Sequence, residues 1–111
     1  MKIKPIDRFL REVKQLSKKY KKIFVDLENL EKSLFENPKY GKNLGKGLYK
    51  IRLENSSIPT GKRGGFRVIS YFLVENTIYL LSIYSKTDKD NISDKELKEA
   101  FKELLEIKKK N

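Results

Sequence analysis

Lys50 and Arg52 stand two residues apart in a segment, residues 48–54, where apolar and charged side chains alternate. This alternation is typical of a strand that packs one face and exposes the other, so both cations point to the same side. Arg67 stands near the start of the next predicted strand, residues 66–74. A solvated strand face would explain two cations alone. A third cation beside them favours an anionic ligand, because clustered like charges destabilise a fold unless they are neutralised.

A glycine-rich loop, Gly61-Lys62-Arg63-Gly64-Gly65, precedes the strand of Arg67. It lacks the spacing of a P-loop and no helix follows it, which excludes nucleotide binding by that motif. Two interpretations stay open. The loop is either a hairpin connection with surface cations, or its backbone N–H groups and cations contact nucleic-acid phosphates. In the second case Arg63 and Arg67 can each hold a phosphate through two hydrogen bonds, whereas Lys62 acts as a point charge.

Tyr84 and Lys86 stand at the end of another predicted strand, residues 77–84. A polar loop before a helix would explain both residues. Beside the strand of Arg67, however, they can also stack on a base and hold a phosphate. Five other aromatic residues are predicted to belong to the core: Tyr20, Phe24, Phe35, Phe72 and Phe101.

The net charge of +11 is distributed unevenly along the 111 residues. From Lys39 to Arg67 there are eight cations and a single acid, Glu54, so this segment alone contributes +7. Such a concentration of positive charge favours a polyanionic partner, and a nucleic acid is the first candidate.

The chain contains neither histidine nor cysteine. This argues against a zinc site and excludes a disulfide framework, and we expect no metal or cofactor. Histidine is also the usual proton shuttle near neutral pH, so acid–base chemistry falls to carboxylates, lysine, tyrosine or water. The sequence has no apolar run of membrane-spanning length and no signal-peptide pattern, so we expect a cytoplasmic protein without membrane contact.

The elements that must position these residues are predicted in the order βααβββα. Consecutive late strands indicate an antiparallel sheet with helices packed on one face, hence an α+β fold in a single domain, residues 1–111. The chain is predicted to begin with an edge strand at residues 2–5, followed by a helix capped by Asp7 and a second helix from Ile23 to the stop at Asn37-Pro38. The three strands follow, with a turn at Glu75-Asn76. The capping box Ser93–Glu96 opens a last helix over residues 94–107, and residues 108–111 are predicted to be a frayed basic tail.

In this order the residues resemble the RelE/HigB branch of the RelE/ParE toxin superfamily, over nearly the whole chain. The resemblance is carried by Leu48-Tyr49-Lys50-Ile51-Arg52-Leu53, by Gly61-Lys62-Arg63-Gly64-Gly65-Phe66-Arg67-Val68-Ile69, by Ile83-Tyr84-Ser85-Lys86 with Asn91-Ile92-Ser93, and upstream by Phe9, Leu16-Ser17-Lys18-Lys19-Tyr20, Asp26-Leu27 and Asn37-Pro38-x-x-Gly41.

The resemblance implies a toxin of a type II toxin–antitoxin system with a microbial-RNase-like fold. Such toxins cut mRNA in the ribosomal A site and are silenced by a cognate antitoxin. Lys50 and Arg52 match the strand cations of the RelE-type active site, Arg67 matches its arginine after a Gly-aromatic pair, and Lys86 matches a cation after the last strand.

The chain departs from that pattern at one position. RelE-type enzymes can carry a catalytic tyrosine a few residues beyond the last cation, and Ile92 stands there in this sequence. Tyr84 is the candidate substitute.

We therefore expect a metal-independent endoribonuclease in which the ribose 2′-OH attacks its own phosphate. Cations would stabilise the developing phosphorane charge, and Lys50, whose pKa is lowered among other cations, is the expected general base. The expected catalytic residues are Lys50, Arg52, Arg67, Lys86 and Tyr84, and the residues expected to hold RNA are Lys46, Lys62, Arg63 and Phe66.

Two other functions are compatible with the pattern. A ParE-like gyrase inhibitor shares the fold, although proteins of that type generally lack the cation cluster. A non-catalytic nucleic-acid-binding domain would bind RNA with steep salt dependence and leave cells growing. The expected partners of the nuclease are mRNA, the ribosome and an antitoxin. An acidic or amphipathic antitoxin segment would cover the basic face, and the last helix is a candidate docking element.

Overall fold

The computed structural model describes residues 1–59, 64–73 and 76–110. Its elements are β1 (Lys2–Pro5), α1 (Asp7–Ser17), α2 (Ile23–Glu36), β2 (Lys42–Gly45), β3 (Leu48–Leu53), β4 (Phe66–Tyr71), β5 (Thr77–Ser85) and α3 (Asp94–Lys110). The predicted α+β order is confirmed, and one short strand, β2, is added between α2 and β3. The predicted turn at Glu75-Asn76 lies partly outside the described residues, because Glu75 is not among them.

The five strands form one sheet in the order β1-β5-β4-β3-β2. Strands β2 to β5 pair antiparallel, as predicted for strands that follow one another in the chain. β1 pairs in parallel with β5, with Lys2 beside Thr77 and Pro5 beside Leu80. The sheet is therefore mixed, and the edge position predicted for residues 2–5 is confirmed, where a proline without an N–H group is tolerated.

The register of the sheet sorts the candidate residues between its two faces. Arg67 lies between Arg52 and Tyr84 of the neighbouring strands, so these three residues share one face, which we call the cationic face. Phe66 lies on the opposite face, where its ring meets Tyr20 edge-on with 5.5 Å between centroids. Tyr20 belongs to the connection between α1 and α2. These two helices therefore pack on the face opposite the cations, as predicted.

α3 opens with the predicted capping box. The N–H of Glu96 donates to Ser93 Oγ at 3.1 Å, and the N–H of Ser93 donates to Glu96 Oε1 at 3.2 Å. Further along the helix the Phe101 ring lies 5.7 Å from that of Tyr71, which alternation places on the cationic face. α3 thus contacts the end of the cationic face remote from Arg67.

The C-terminal end of α3 differs from the prediction. The helix continues to Lys110 instead of ending near Ile107. Lys108 Nζ lies 5.2 Å from the centre of the Tyr71 ring and 5.8 Å from that of Tyr79. Cation–π contacts with two sheet residues stabilise the last turn, so the helix extends beyond the end predicted at Ile107.

A carboxylate of α1 meets an irregularity in β5. The register of β4 and β5 shifts between Ile69 and Ser70, which leaves an extra residue in β5. The Glu12 carboxylate accepts hydrogen bonds there from Ser82 Oγ at 2.9 Å and from the Ile83 N–H at 3.2 Å. Burial raises the Glu12 pKa above its ordinary value, and these hydrogen bonds offset only part of that increase. α1 is thereby joined to the part of β5 that lies beyond its pairing with β1.

Two local predictions need correction. Asp7 is the first residue of α1 and not its cap, because Ile6 adopts the extended conformation of a cap position and has no side-chain hydrogen bond. Phe24 and Phe35 are 60% and 50% exposed and are not core residues, because they lie off the stripe that α2 buries.

Candidate catalytic site

Arg52, Arg67 and Tyr84 form a row across three strands of the cationic face. Arg67 is only 5% exposed, and its Nη1 donates a hydrogen bond to the backbone oxygen of Phe66 at 3.2 Å. Burial has the largest effect in lowering the Arg67 pKa below its ordinary value, and the positive charge of the neighbouring Arg52 lowers it further. A guanidinium group nevertheless stays charged at any physiological pH. Two arginines fixed in adjacent strands can receive the negative charge of one phosphate.

Lys50 lies in the next row of the same face, paired with Lys42 of β2. Burial contributes most to lowering the Lys50 pKa, and the positive charges of Lys86, Lys42, Arg67 and Arg52 lower it further. A lysine whose pKa is lowered has a larger fraction of neutral amine, which can accept a proton. The environment therefore suits Lys50 to the role of general base.

Lys86 reaches the site from the loop that follows β5. Its backbone N–H donates to the backbone oxygen of Gly65 at 2.9 Å, and its Nζ donates to the backbone oxygen of Asp90 at 2.6 Å. Among the neighbouring charges, Lys86 has the largest effect on the Lys50 pKa. The structure thus brings the predicted strand and loop cations together.

Tyr84 contributes a hydroxyl group and not a stacking surface. The residue is 5% exposed, and Lys89 Nζ lies 5.3 Å from the centre of its ring, so the expected stacking of a base on this ring is not supported. Its hydroxyl donates to Asn91 Oδ1 at 3.2 Å. Burial raises the Tyr84 pKa, so the hydroxyl keeps its proton at neutral pH. Ile92, which only the sequence resemblance places at a tyrosine position, is buried and has no polar side chain.

Three residues before β3 also lie at the site, although no sequence pattern predicted a role for them. Tyr40, Gly41 and Lys42 line an open cleft of about 380 Å³ together with Lys50 and Arg52. Gly41 has a φ of +107°, and a Cβ atom there would lie 2.7 Å from the Lys50 oxygen. Only glycine allows this backbone to approach β3 so closely. The Asn-Pro-x-x-Gly motif and the nearby lysine were the available signals, but β2 itself has no alternation.

The residues predicted to hold RNA do not lie together beside the candidate catalytic residues. Phe66 is fully buried against Tyr20, so its predicted contact with RNA is wrong, because strand alternation turns it away from Arg67. Lys46 lies in the turn between β2 and β3 and lines a groove with α3 instead of the cleft beside Lys50. Lys62 and Arg63 lie outside the described residues.

The ion pairs of the described residues lie in helices and loops beside the cationic face, and one of their members, Lys89, lies over the Tyr84 ring. They connect α1, α3 and the loops near them, and their members are Arg8, Arg11, Glu12, Lys19, Asp88, Lys89, Glu96, Glu99 and Glu103. Among the described residues, no ion pair includes Lys42, Lys50, Arg52 or Lys86. Their charge is available to a bound polyanion.

Within the described ranges, no three histidine, cysteine or acidic residues come together as a possible metal site. In the same part of the chain, no helix combines the length and apolar character that a bilayer crossing requires.

The comparison with known families agrees with the resemblance found in the sequence. The family model described as the RelE toxin of the RelE/RelB toxin–antitoxin system matches residues 1–110. The match therefore includes every strand of the cationic face and all three helices. The chain belongs to the RelE toxin family.

Proposed function

We propose that this protein is an endoribonuclease that cleaves mRNA on the ribosome, in the cytoplasm, and that a RelB-type antitoxin silences it. The observation that carries the proposal is the environment of Lys50, where burial and then the charges of four neighbouring cations lower the pKa of one amine. A site that only bound RNA would gain nothing from an amine that loses its charge more easily. A site that removes a proton from a hydroxyl group requires one.

In the proposed reaction the neutral Lys50 amine accepts the proton of a ribose 2′-OH. The 2′-oxygen attacks the adjacent phosphorus, the bond from phosphorus to the 5′-oxygen breaks, and the products carry a 2′,3′-cyclic phosphate and a 5′-hydroxyl group. Arg52 and Arg67 stabilise the additional negative charge of the phosphorane, which exceeds that of the bound phosphate. The substrate supplies its own nucleophile, so no nucleophilic side chain is needed.

The leaving 5′-oxygen must receive a proton from the other side of the phosphorus. The Tyr84 hydroxyl stands in the same row as the two arginines and keeps its proton at neutral pH, as an ordinary tyrosine does, and burial raises its pKa further. We assign it as the proton donor, with the Lys86 ammonium as a second cation near the phosphate. Lys42, in the cleft beside Lys50 and Arg52, extends the positive surface along the RNA.

Arg67→Ala tests the proposal on ribosomes programmed with a defined mRNA. We expect single-turnover cleavage to fall by about a hundredfold or more, since the variant removes a preorganised charge at the phosphorane. Lys32→Ala is the matched control, because Lys32 is an exposed cation of α2 and its loss changes the net charge equally. The control should cleave like the wild type. Added EDTA should leave the single-turnover cleavage rate unchanged when reactions with the same amount of intact ribosomes are compared.

Equal cleavage by Arg67→Ala and the wild type would overturn the assignment. Induced expression separates the remaining alternatives. Loss of translated mRNA supports the nuclease, DNA breaks with an SOS response support a gyrase inhibitor, and normal growth supports a binding domain. Co-expression of the RelB-type antitoxin should restore growth.

A further inference from the structure

The loop between β5 and α3 contains an acceptor to which two of the candidate catalytic groups are bound. Asn91 Oδ1 accepts a hydrogen bond from Lys50 Nζ at 2.5 Å and one from the Tyr84 hydroxyl at 3.2 Å. It also accepts the N–H of Ile92 at 3.0 Å. A single oxygen therefore connects β3, β5 and the start of the segment that leads into α3.

These contacts restrict the two side chains strongly. A lysine side chain has four rotatable bonds, and an unrestrained amine beside other cations would turn toward solvent. The bond to Asn91 holds Nζ on the cationic face, and the same oxygen fixes the Tyr84 hydroxyl relative to it. The Ile92 N–H in turn restricts the orientation of the amide.

We propose that Asn91 is a positioning residue that holds the Lys50 amine and the Tyr84 hydroxyl in register with Arg52 and Arg67. The proposal rests on the function proposed above, since it assigns Lys50 and Tyr84 to the reaction. Asn91 contacts the two proton-transferring groups and is assigned no contact with the substrate. Its effect is exerted through the two groups that it holds.

An amide suits this task better than a carboxylate. Among the described residues, the charged groups that shift the Lys50 pKa are cations: Lys42 from β2, Arg52 from β3, Arg67 from β4 and Lys86 from the loop. A carboxylate at position 91 would place an anion against the ammonium, stabilise its charged form and raise the Lys50 pKa. The amide oxygen orients the amine without supplying a counter-ion.

Asn91→Asp and Asn91→Ala separate charge from geometry. In wild-type protein the cleavage rate rises with pH as Lys50 loses its proton. In Asn91→Asp this rise should move to higher pH, with a loss of roughly tenfold or more at pH 7 that is recovered in more alkaline solution. Asn91→Ala should lower the maximal rate by about tenfold or more without an upward shift of the profile. Asn29→Asp, an exposed residue of α2, adds the same negative charge and should behave like the wild type.

A second measurement does not depend on cleavage. The titration of the Lys50 ε-carbon, followed by NMR in ¹³C-lysine-labelled protein and assigned with Lys50→Arg, should move to higher pH in Asn91→Asp and stay in place in Asn29→Asp. An unchanged titration in Asn91→Asp would overturn the inference whether or not the protein cleaves RNA. An inactive wild-type protein with a shifted titration would instead refute the proposed function alone. Equal loss by both Asn91 variants at every pH, with no shift of the profile, would also overturn the positioning role.

Discussion

At the residue scale, the proposed chemistry depends on one amine whose neighbours are nearly all positive. Burial, and after it the positive charges of four neighbouring cations, raise the free energy of the charged form of Lys50, while the amide oxygen of Asn91 accepts a hydrogen bond from its amine. The arginines of the same face cannot take its place, because a guanidinium group keeps its proton at physiological pH. Lysine and arginine at this site therefore have different tasks, although both carry a positive charge.

Lys50→Arg tests this division of tasks. The variant keeps the positive charge and removes the group that can accept a proton, so we expect the maximal cleavage rate to fall by about 10²- to 10⁴-fold with a much smaller change in RNA affinity. For the wild type, the rate should rise with pH toward the lowered Lys50 pKa and then level off. Rates measured from pH 5.5 to 9 on programmed ribosomes, together with salt-dependent RNA binding, provide the check.

Lys32→Arg is the corresponding control, since it makes the same substitution at an exposed position of α2. If Lys50→Arg cleaves with the wild-type rate and pH profile, another group removes the proton. The role of Lys50 would then be reduced to binding.

At the element scale, β3 presents the cations and the backbone before β2 supports it. Gly41 approaches β3 so closely that a Cβ atom would lie 2.7 Å from the Lys50 oxygen and 2.9 Å from Ile51 Cγ1. Gly45, at the other end of β2, also has a positive φ but would have no atom within 4 Å of its Cβ. Both glycines adopt a positive φ, but only at Gly41 would an added Cβ atom collide with β3.

Gly41→Ala should therefore damage the site, and Gly45→Ala should only destabilise the protein. Both substitutions place a side chain at positive φ, at a cost of about 1–3 kcal/mol. Only Gly41→Ala also pushes against the backbone of Lys50, so we expect a larger drop in melting temperature and a loss of cleavage that Gly45→Ala does not show. Thermal unfolding and cleavage of both variants give the test. Identical activities would show that the backbone at Lys50 tolerates the displacement.

Alternation explains both what the sequence predicted and where the prediction went wrong. The pattern of residues 48–54 placed Lys50 and Arg52 on one face, and the structure confirms that Arg67 shares it. The same rule puts Phe66 on the opposite face, so its assignment to RNA binding contradicted the pattern. β2, Lys42–Gly45, has no apolar alternation and forms only because β3 offers a free edge. The bond between Lys50 and Asn91 joins residues 41 positions apart, and no local pattern encodes it.

At the scale of the whole molecule, the carboxylates of the described ion pairs lie on α1, on α3 and in the loop before α3, and not on the strands of the cationic face. The described ion pairs join α1, α3 and nearby loops, while the cationic face keeps its positive charge. α3 also packs against the sheet through Phe101. The carboxylates thus contribute to holding the helices, and the face that would meet RNA or an acidic antitoxin segment remains basic.

The role of carboxylates in holding the helices can be tested through the pH dependence of stability at Glu96. Its carboxylate accepts a short hydrogen bond from Lys89 Nζ and bonds from Ser93, and it lies 3.7 Å from Arg8 Nη2. The bond from Lys89 contributes most to lowering the Glu96 pKa from 4.5 to about 2. A carboxyl group whose pKa is lower in the folded state stabilises the fold above its unfolded-state pKa, and this contribution is lost as the pH falls from about 4.5 to about 2. Since the side chain is 33% exposed, screening limits the contribution to about 1 kcal/mol or less.

Glu96→Gln should therefore melt a few degrees below the wild type at pH 7, and the difference should disappear as the pH approaches 2. Glu106→Gln, an exposed position of the same helix, is the control and should show no such dependence. Circular dichroism melts of the three proteins at pH 7, 4.5, 3 and 2 measure the effect. A difference that stays constant across this range would mean that Glu96 acts through packing and not through its charge. Because Lys89 also lies over the Tyr84 ring, a charge-dependent result would connect the ion pairs that hold α3 to the site that α3 adjoins.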